Sequence, residues 1–330
     1  MAAEDANARS CRETCEEVAH GLPSKPLVLE PRAAPPDALE REREPALREK
    51  VQALAAALSE VKLDSAVADE AAAHMDEFTL ARFVIARDGK LDDAKRMFIE
   101  TMHFRADRGV GCLRAELHAS ASHAPGSPTA VRQAAVRRHF FAGWGGCCRD
   151  GTPFFVEQLG RFDVSACSRD PEVFDLMIEA YICYLEGCLY TCRLASARTG
   201  EMQRATSIVD ATGVSLSHAS NVRIIKAVSK IGTSYYPELM RRVYIINAPW
   251  AFSAVWKLVA PFLPEQTRKK ISISSGGLPP KLLAEIDASQ LPAVLGGSNE
   301  VSGQIPRAEK IPASLAAELR VASSESSFSA

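Results

Sequence analysis

Residues 234–271, SYYPELMRRVYIINAPWAFSAVWKLVAPFLPEQTRKKI, decide how this chain folds. Four pieces follow one another: an acidic loop, a strand, a Pro-bounded apolar helix and a basic turn. The strand is Val243-Tyr244-Ile245-Ile246, β-branched and aromatic, with Pro249 just beyond it. Past that proline, Phe252, Val255, Trp256, Leu258, Val259 and Phe262 crowd a segment whose clearly polar residues are Ser253 and Lys257. A helix apolar nearly all round lies in a core or against lipid. At about 13 residues it falls short of the ~20 that a bilayer span needs. The segment is therefore core or an interfacial flap, and the choice between them bears on function.

Working outward, bulk properties narrow the class. The chain has 330 residues, room for one large domain and a smaller helical one at ~100–200 residues per domain. Its hydrophobic content of 47% supplies a sizeable core. A formal net charge of −2 gives no electrostatic reason to expect nucleic acid, nor strong attachment to an anionic membrane by charge alone. The polar, acidic N-terminus MAAEDANARS is unlike a signal peptide, and the nine cysteines are odd in number. Both favour a reducing, cytoplasmic setting with free thiols. Cys11 and Cys15 near His20, the adjacent Cys147 and Cys148, and Cys183, Cys188 and Cys192 within one helix all lack the paired C-x-x-C spacing of a structural zinc site. Buried filler is the expected role of these thiols, with no metal and no cofactor.

Residues 1–44, rich in Pro, Ala, Glu and Arg, read as a mobile arm. Pro45 opens a helix whose stripe is Leu47, Val51, Leu54, Leu58 and Val61. A second helix carries Phe78, Leu80, Phe83 and Val84 and stops near Asp88-Gly89. A third runs from Asp92 through Met97, Phe98 and Phe104 to Gly109. Three such short helices must pack on the rest of the chain. Residues 119–130 are a linker. Beyond it, strands at 154–159, 206–209, 243–246 and 270–273 alternate with helices at 171–193, near Ser217 and in the apolar segment. That order argues for an α/β domain with a largely parallel sheet.

Catalytic motifs fare poorly. Asp210-Ala-Thr-Gly213-Val-Ser215-Leu-Ser217-His218 contains Ser, His and Asp, but Ser217 stands where a G-x-S-x-G elbow needs glycine. A histidine three residues from the serine does not make a triad, so helix capping by Ser215 or Ser217 is the favoured reading. No G-x-x-x-x-G-K-[ST] occurs, and Gly143-Trp-Gly145-Gly146 is not G-x-G-x-x-G. The chain is not expected to be an enzyme.

Several motifs together resemble one family. Arg82-Phe83-Val-Ile-Ala86-Arg87 with Asp92-Asp-Ala94-Lys95, the turn Asp150-Gly151-Thr152-Pro153, Asp210 with Gly213, Tyr236-Pro237-Glu238, Ile246-Asn247-Ala248-Pro249, and Leu291-Pro292 with Gly296-Gly297 stand in order over residues 45–300. The chain is similar to the Sec14-like family, a CRAL-TRIO lipid-binding domain behind a helical N-terminal module. The resemblance implies a helical module at 45–118, a lipid-binding domain at 131–300 and a tail at 301–330. It implies a mixed, largely parallel sheet flooring a hydrophobic lipid cavity closed by a helical gate. Phe252, Val255, Trp256, Val259 and Phe262 would belong to that gate.

The resemblance also implies ligands. In phosphatidylinositol-binding members the headgroup residues match Arg87, Glu238, Thr267 and Lys270 here. The chemistry is sensible, since Lys270 and Arg87 offer charge-assisted donors to a phosphodiester and Glu238 can accept from inositol hydroxyls. Taken singly, each has a plainer role: Glu238 paired with Arg241 or Arg242, Lys270 solvated beside Arg268 and Lys269, Arg87 capping a helix C-terminus. Members that also take phosphatidylcholine carry a serine and a threonine where this chain has Ala205 and Ser207, with aromatic positions matching Trp144, Phe155 and Tyr181. Ala205 lacks the hydroxyl, which points away from phosphatidylcholine and toward another lipid or a sterol.

The expectation is a non-enzymatic, cytoplasmic, monomeric protein that binds a single phospholipid, phosphatidylinositol first, in an internal cavity and transfers or presents it between membranes, visiting their surfaces transiently; a second lipid is a candidate further ligand. Lipid kinases are candidate partners. The main rival is a CRAL-TRIO carrier of a tocopherol-, retinoid-, sterol- or squalene-like ligand. A lipid-dependent hydrolase acting through Ser215 is the rival from another class.

Overall fold

A computed structural model describes residues 45–111 and 142–298. The arm before residue 45, with Cys11, Cys15 and His20, the 119–130 linker and the tail lie outside the described residues.

Among the described residues before the sheet there are four helices: α1 (Pro45–Ser59), α2 (Ser65–Ala72), α3 (Glu77–Ala86) and α4 (Leu91–Asp107). Leu47, Val51, Leu54 and Leu58 of the expected stripe are all buried, and they meet Phe78, Leu80, Phe83, Val84, Met97 and Phe98 in one cluster. The helix absent from the sequence reading is α2. Its sequence SAVADEAA buries only Val67 and Ala71, too little apolar mass to show as a stripe. The module thus has a core of its own, which Met202 from beyond the sheet's second strand completes.

The remainder is β1 (Ala142–Cys147), β2 (Pro153–Gln158), α5 (Val164–Arg169), α6 (Pro171–Thr199), β3 (Ala205–Asp210), α7 (Leu216–Ser220), α8 (Val222–Tyr235), β4 (Met240–Ile246), α9 (Phe252–Val259), α10 (Glu265–Lys269), β5 (Ile271–Ile273) and α11 (Pro280–Glu285). A 3-10 turn, Ala260–Phe262, extends α9. The five strands lie in sequence order; β1 is antiparallel to β2 and the rest are parallel. The sheet is mixed and largely parallel, as expected; β1, a glycine-rich AGWGGC with no run of β-branched residues, carried no strand signal.

Side chains alternate across the sheet with the two-residue period of a strand. Phe154, Val156, Ile208, Tyr244 and Ile246 face α11, against Leu282, Ile286 and Leu291. Phe155, Ala205 and Met240 face α6 and α8 on the other side. The long α6 begins at Asp170, whose carboxylate accepts from the Glu172 N–H at 2.9 Å, and ends at Gly200, whose φ of 71° suits a residue without Cβ.

Several family motifs turn out to be braces. Asp210 Oδ1 accepts from Thr212 N–H (2.9 Å), Thr212 Oγ1 (2.6 Å) and Asn247 Nδ2 (3.1 Å), tying the ends of β3 and β4 together. Asn247 itself is left-handed at φ 52°, a conformation asparagine tolerates better than most residues. Asp150 accepts from Thr152 N–H at 3.0 Å in the turn before β2. One thiol expectation fails: Cys147 is disulfide-bonded, whereas Cys148, Cys167, Cys183, Cys188 and Cys192 are free. Among the described residues no group of three His, Cys, Asp or Glu could hold a metal, and no helix is long and apolar enough to cross a membrane.

Candidate functional site

Between the α6–α8 face of the sheet and the residues after α9 lies a cavity of about 540 Å³. Its floor carries Glu157 from β2, Ser207 from β3 and Val243 from β4; Tyr181, Tyr184 and Leu185 of α6 and Val228, Ser229, Gly232 and Thr233 of α8 form walls. Gly232 makes room for an aromatic wall, because a Cβ there would come within 2.8 Å of the Tyr181 hydroxyl. The volume falls in the ~300–1,000 Å³ range of small-molecule sites.

Arg87, Glu238, Thr267 and Lys270 all line this cavity, although they come from three separate segments. Arg87 follows α3, Glu238 sits between α8 and β4, and Thr267 and Lys270 bracket the end of α10. Lys270 Nζ donates to both oxygens of Glu238, at 3.0 and 2.9 Å, and Arg204 Nε lies 3.0 Å from Glu238 Oε2. The pairing of Glu238 with Arg241 or Arg242 does not occur: those arginines bind Asp150 and Glu285 on the far side of β4. Lys270 is also not one more solvated charge, since Lys269 pairs outward with Glu265 while Lys270 turns in. Arg87 does cap its helix, Nη1 donating to Ala86 O at 3.0 Å, and it meets the cavity as well.

Glu238 is held in an unusual backbone conformation, φ 49°. Arg82, buried on α3, donates from Nη1 to Glu238 O at 2.5 Å and from Nη2 to Gln203 O at 2.5 Å. Burial pulls the Arg82 pKa down from its usual value. The helical module thereby braces the loop that presents Glu238. An arginine set among Leu80, Ala81, Phe83 and Val84 was the signal in the sequence for such a brace.

At the other end of the floor Glu157 accepts from Tyr184 Oη (2.7 Å) and Ser207 Oγ (2.9 Å), both bonds landing on Oε1. Burial pushes its pKa up, and the two hydrogen bonds oppose that shift. Sequence reasoning passed over Glu157, although a carboxylate on the inward face of FFVEQ is a signal of its own. Of the positions matched to a second headgroup, Ser207 and Tyr181 line the cavity. Phe155 does not: it is a core residue, and Tyr184, edge-to-face with it at 5.9 Å, meets the cavity in its place. Trp144 lies on β1 and its side chain is outside the described residues.

The apolar segment 251–263 is shorter as a helix than expected. Phe252 and Val255 are buried with Val209, Val214 and Ile245, and Trp256 and Val259 pack against that cluster. Phe262 is 41% exposed, with Lys226 Nζ 5.9 Å from its ring centre. Trp250, just before α9, is 80% exposed. The segment therefore has a rooted first turn and an open far end, which reaches the cavity at Leu263 and Pro264.

The serine-histidine cluster is a cap. Ser215 N–H donates to His218 Nδ1 at 3.1 Å, and Ser215 Oγ lies 3.1 Å from the same nitrogen at the start of α7. Burial lowers the His218 pKa, which keeps that nitrogen an acceptor.

Comparison with known proteins agrees with this architecture. Residues 137–297 match the CRAL/TRIO domain. The chain is 32% identical over 231 residues to the Sec14 cytosolic factor of Schizosaccharomyces pombe, covering 69% of this chain and 77% of that one. It is 29% identical over 233 residues to the SEC14 cytosolic factor of Kluyveromyces lactis, covering 69% and 73%. Over 235 residues it is 27% identical to the phosphatidylinositol/phosphatidylcholine transfer protein SFH11 of Arabidopsis thaliana, covering 68% and 58%. With its braced helical module, its mixed sheet and a cavity on the sheet's α6–α8 face, the chain belongs to the Sec14-like CRAL/TRIO family.

Proposed function

We propose that the protein encloses one phospholipid, phosphatidylinositol first, and transfers or presents it between membranes without catalysis. The observation that carries this reading is the convergence of Arg87, Glu238, Thr267 and Lys270 on one cavity that continues into apolar walls. An ammonium has three donors, and Glu238 uses two of them, so Lys270 keeps one for a phosphodiester oxygen. Arg87 spends one of five N–H donors on Ala86. The Glu238 carboxylate, fixed by Arg204 and Lys270, retains acceptor capacity for inositol hydroxyls. That one relative, SFH11, is a phosphatidylinositol/phosphatidylcholine transfer protein supports the same reading.

The energetics favour an enclosed carrier. Each buried CH₂ is worth ~0.8 kcal/mol, so an acyl chain resists leaving a bilayer by ~10 kcal/mol or more. A cavity docked on the membrane replaces one apolar surrounding with another. Trp250 and Phe262 at the two ends of the apolar segment, with Leu216 of the neighbouring α7 at 53% exposure, offer the surface for such docking. The open end of the segment is then the gate.

The test is to identify by mass spectrometry the lipid carried by the purified protein, and by the protein after exchange with phosphatidylinositol-containing vesicles, beside a Lys270→Ala/Glu238→Ala variant. Phosphatidylinositol in the parent, lost selectively from the variant, is the expected result. A different hydrophobic molecule held equally by both proteins would sink the headgroup assignment.

A further inference from the structure

The cavity has two polar ends of opposite character. One is cationic, around Lys270, Arg204 and Arg87. At the other, Glu157 is half-buried with no Lys or Arg pairing to it among the described residues, and Tyr184 and Ser207 both spend their protons on a single oxygen, Oε1. Oε2 has no hydrogen-bond partner among the described residues, and the surface that Glu157 still exposes belongs to the cavity rather than to the outer solvent. A carboxyl oxygen that lines the cavity with no protein hydrogen bond of its own is open to a ligand group of the right chemistry.

We propose that Glu157 Oε2 is the recognition point for the hydroxyl end of a neutral lipid, a second ligand of the same cavity. This rests on the reading of the cavity as a lipid site. A phosphodiester does not fit here, because it would meet a carboxyl with no compensating cation. A quaternary ammonium gains only while the carboxyl is ionised, and burial works against that form. A hydroxyl fits both states: it donates to a carboxylate and accepts from a carboxylic acid. The hydroxyl of Ser207, matched by position to a second headgroup, is already committed to Glu157. The tyrosine rings at 181 and 184 lie 26° from parallel, 6.4 Å apart, and give the ligand body an aromatic wall beside the polar point.

The test uses the full chain incubated with phosphatidylcholine vesicles and re-isolated for counting retained label. The vesicles carry tritiated cholesterol or dioleoylglycerol, each against a partner lacking the hydroxyl, cholestene and propanediol dioleate. The two pairs distinguish a sterol from a glyceride source of the same group. The parent should retain the hydroxyl form of at least one pair about tenfold over its partner, the effect of one hydrogen bond to a buried polar group. Glu157→Leu should bring that ratio to near parity. Glu157→Gln should keep most of it, since the amide oxygen still accepts from Tyr184 and Ser207 while its NH₂ donates to the ligand hydroxyl. Parity in the parent, an unchanged ratio in Glu157→Leu, or equal loss in a folded Glu157→Gln would each overturn the proposal. Phosphatidylinositol loading of the parent, measured alongside, separates the two readings. Loading without a hydroxyl preference sinks only this inference, and the converse sinks only the headgroup assignment.

Discussion

Two sets of charged contacts in this molecule use the same side-chain chemistry and differ in what surrounds them. Where the helical module meets α6, Arg105 gives Nη1 and Nη2 to the two oxygens of Glu186 (2.5 and 3.0 Å) and Nε to Glu70 (2.7 Å). Arg193 reaches from α6 to Asp76, the N-cap of α3, at 2.8 Å. These side chains are 3–5% exposed, apart from Glu70 at 16%. Burial alone would lower the Arg105 pKa, but the Glu186 carboxylate outweighs it and the net shift is upward. At the cavity, Lys270 and Glu238 are 25% and 16% exposed and keep unused donors and acceptors. The first set is closed and structural; the second is open and available to a ligand. Charge pairing by itself marks neither role, and contact with the cavity separates them.

The sharpest way to break that contrast is Arg105→Ala. It strands Glu186 uncompensated in the interior, and removing one partner of a buried pair costs ~3–5 kcal/mol. Chemical unfolding should show that loss. A cost below about 1 kcal/mol would mean the pair is no more structural than a surface bridge.

Lys270→Ala should do the reverse. Its partner Glu238 keeps Arg204, so the stability change stays within about 1 kcal/mol, while exchange of phosphatidylinositol from vesicles falls at least tenfold. A variant that loses several kcal/mol and still exchanges phosphatidylinositol normally would move Lys270 into the structural set.

Ser215→Ala sharpens the comparison from outside both sets. Loss of a capping hydroxyl costs ~1 kcal/mol and leaves lipid loading intact. Complete loss of an activity in that variant would instead revive the hydrolase reading.

The parts legible in the sequence were those with a period or a demanding turn. The stripe of α1, the β3 and β4 runs and the glycine and proline motifs all announce themselves locally. What stayed hidden depends on distance. Glu238, in the loop before β4, finds Arg204 and Lys270, while its neighbours Arg241 and Arg242 both reach Glu285, a choice that only the folded chain reveals. The helix α2 and strand β1 carry too few apolar side chains for a pattern, and tertiary packing alone decides them. Phe155 and Tyr184 show the same limit within one site: both are aromatic and both face α6 or β2, yet only the three-dimensional order says which one meets the cavity.

Glu157 gives the smallest and most diagnostic effect. Its folded-state pKa lies above the ordinary carboxylate value of ~4.3, chiefly because burial disfavours the anion. Between the unfolded and folded pKa values the native protein therefore binds more protons than the unfolded chain. Stability must fall as pH rises through that window, the benefit being fully present only below the unfolded value. Glu157→Gln keeps an oxygen for Tyr184 and Ser207 and removes the titration. The difference in unfolding free energy, variant minus parent, should be flat at low pH and grow in favour of the variant as pH rises past ~4.3. Unfolding curves of both proteins at several pH values measure it. Parallel pH profiles would show that Glu157 is as well compensated as the closed pairs at Arg105 and Arg193, and would remove the physical reason for a ligand to seek it.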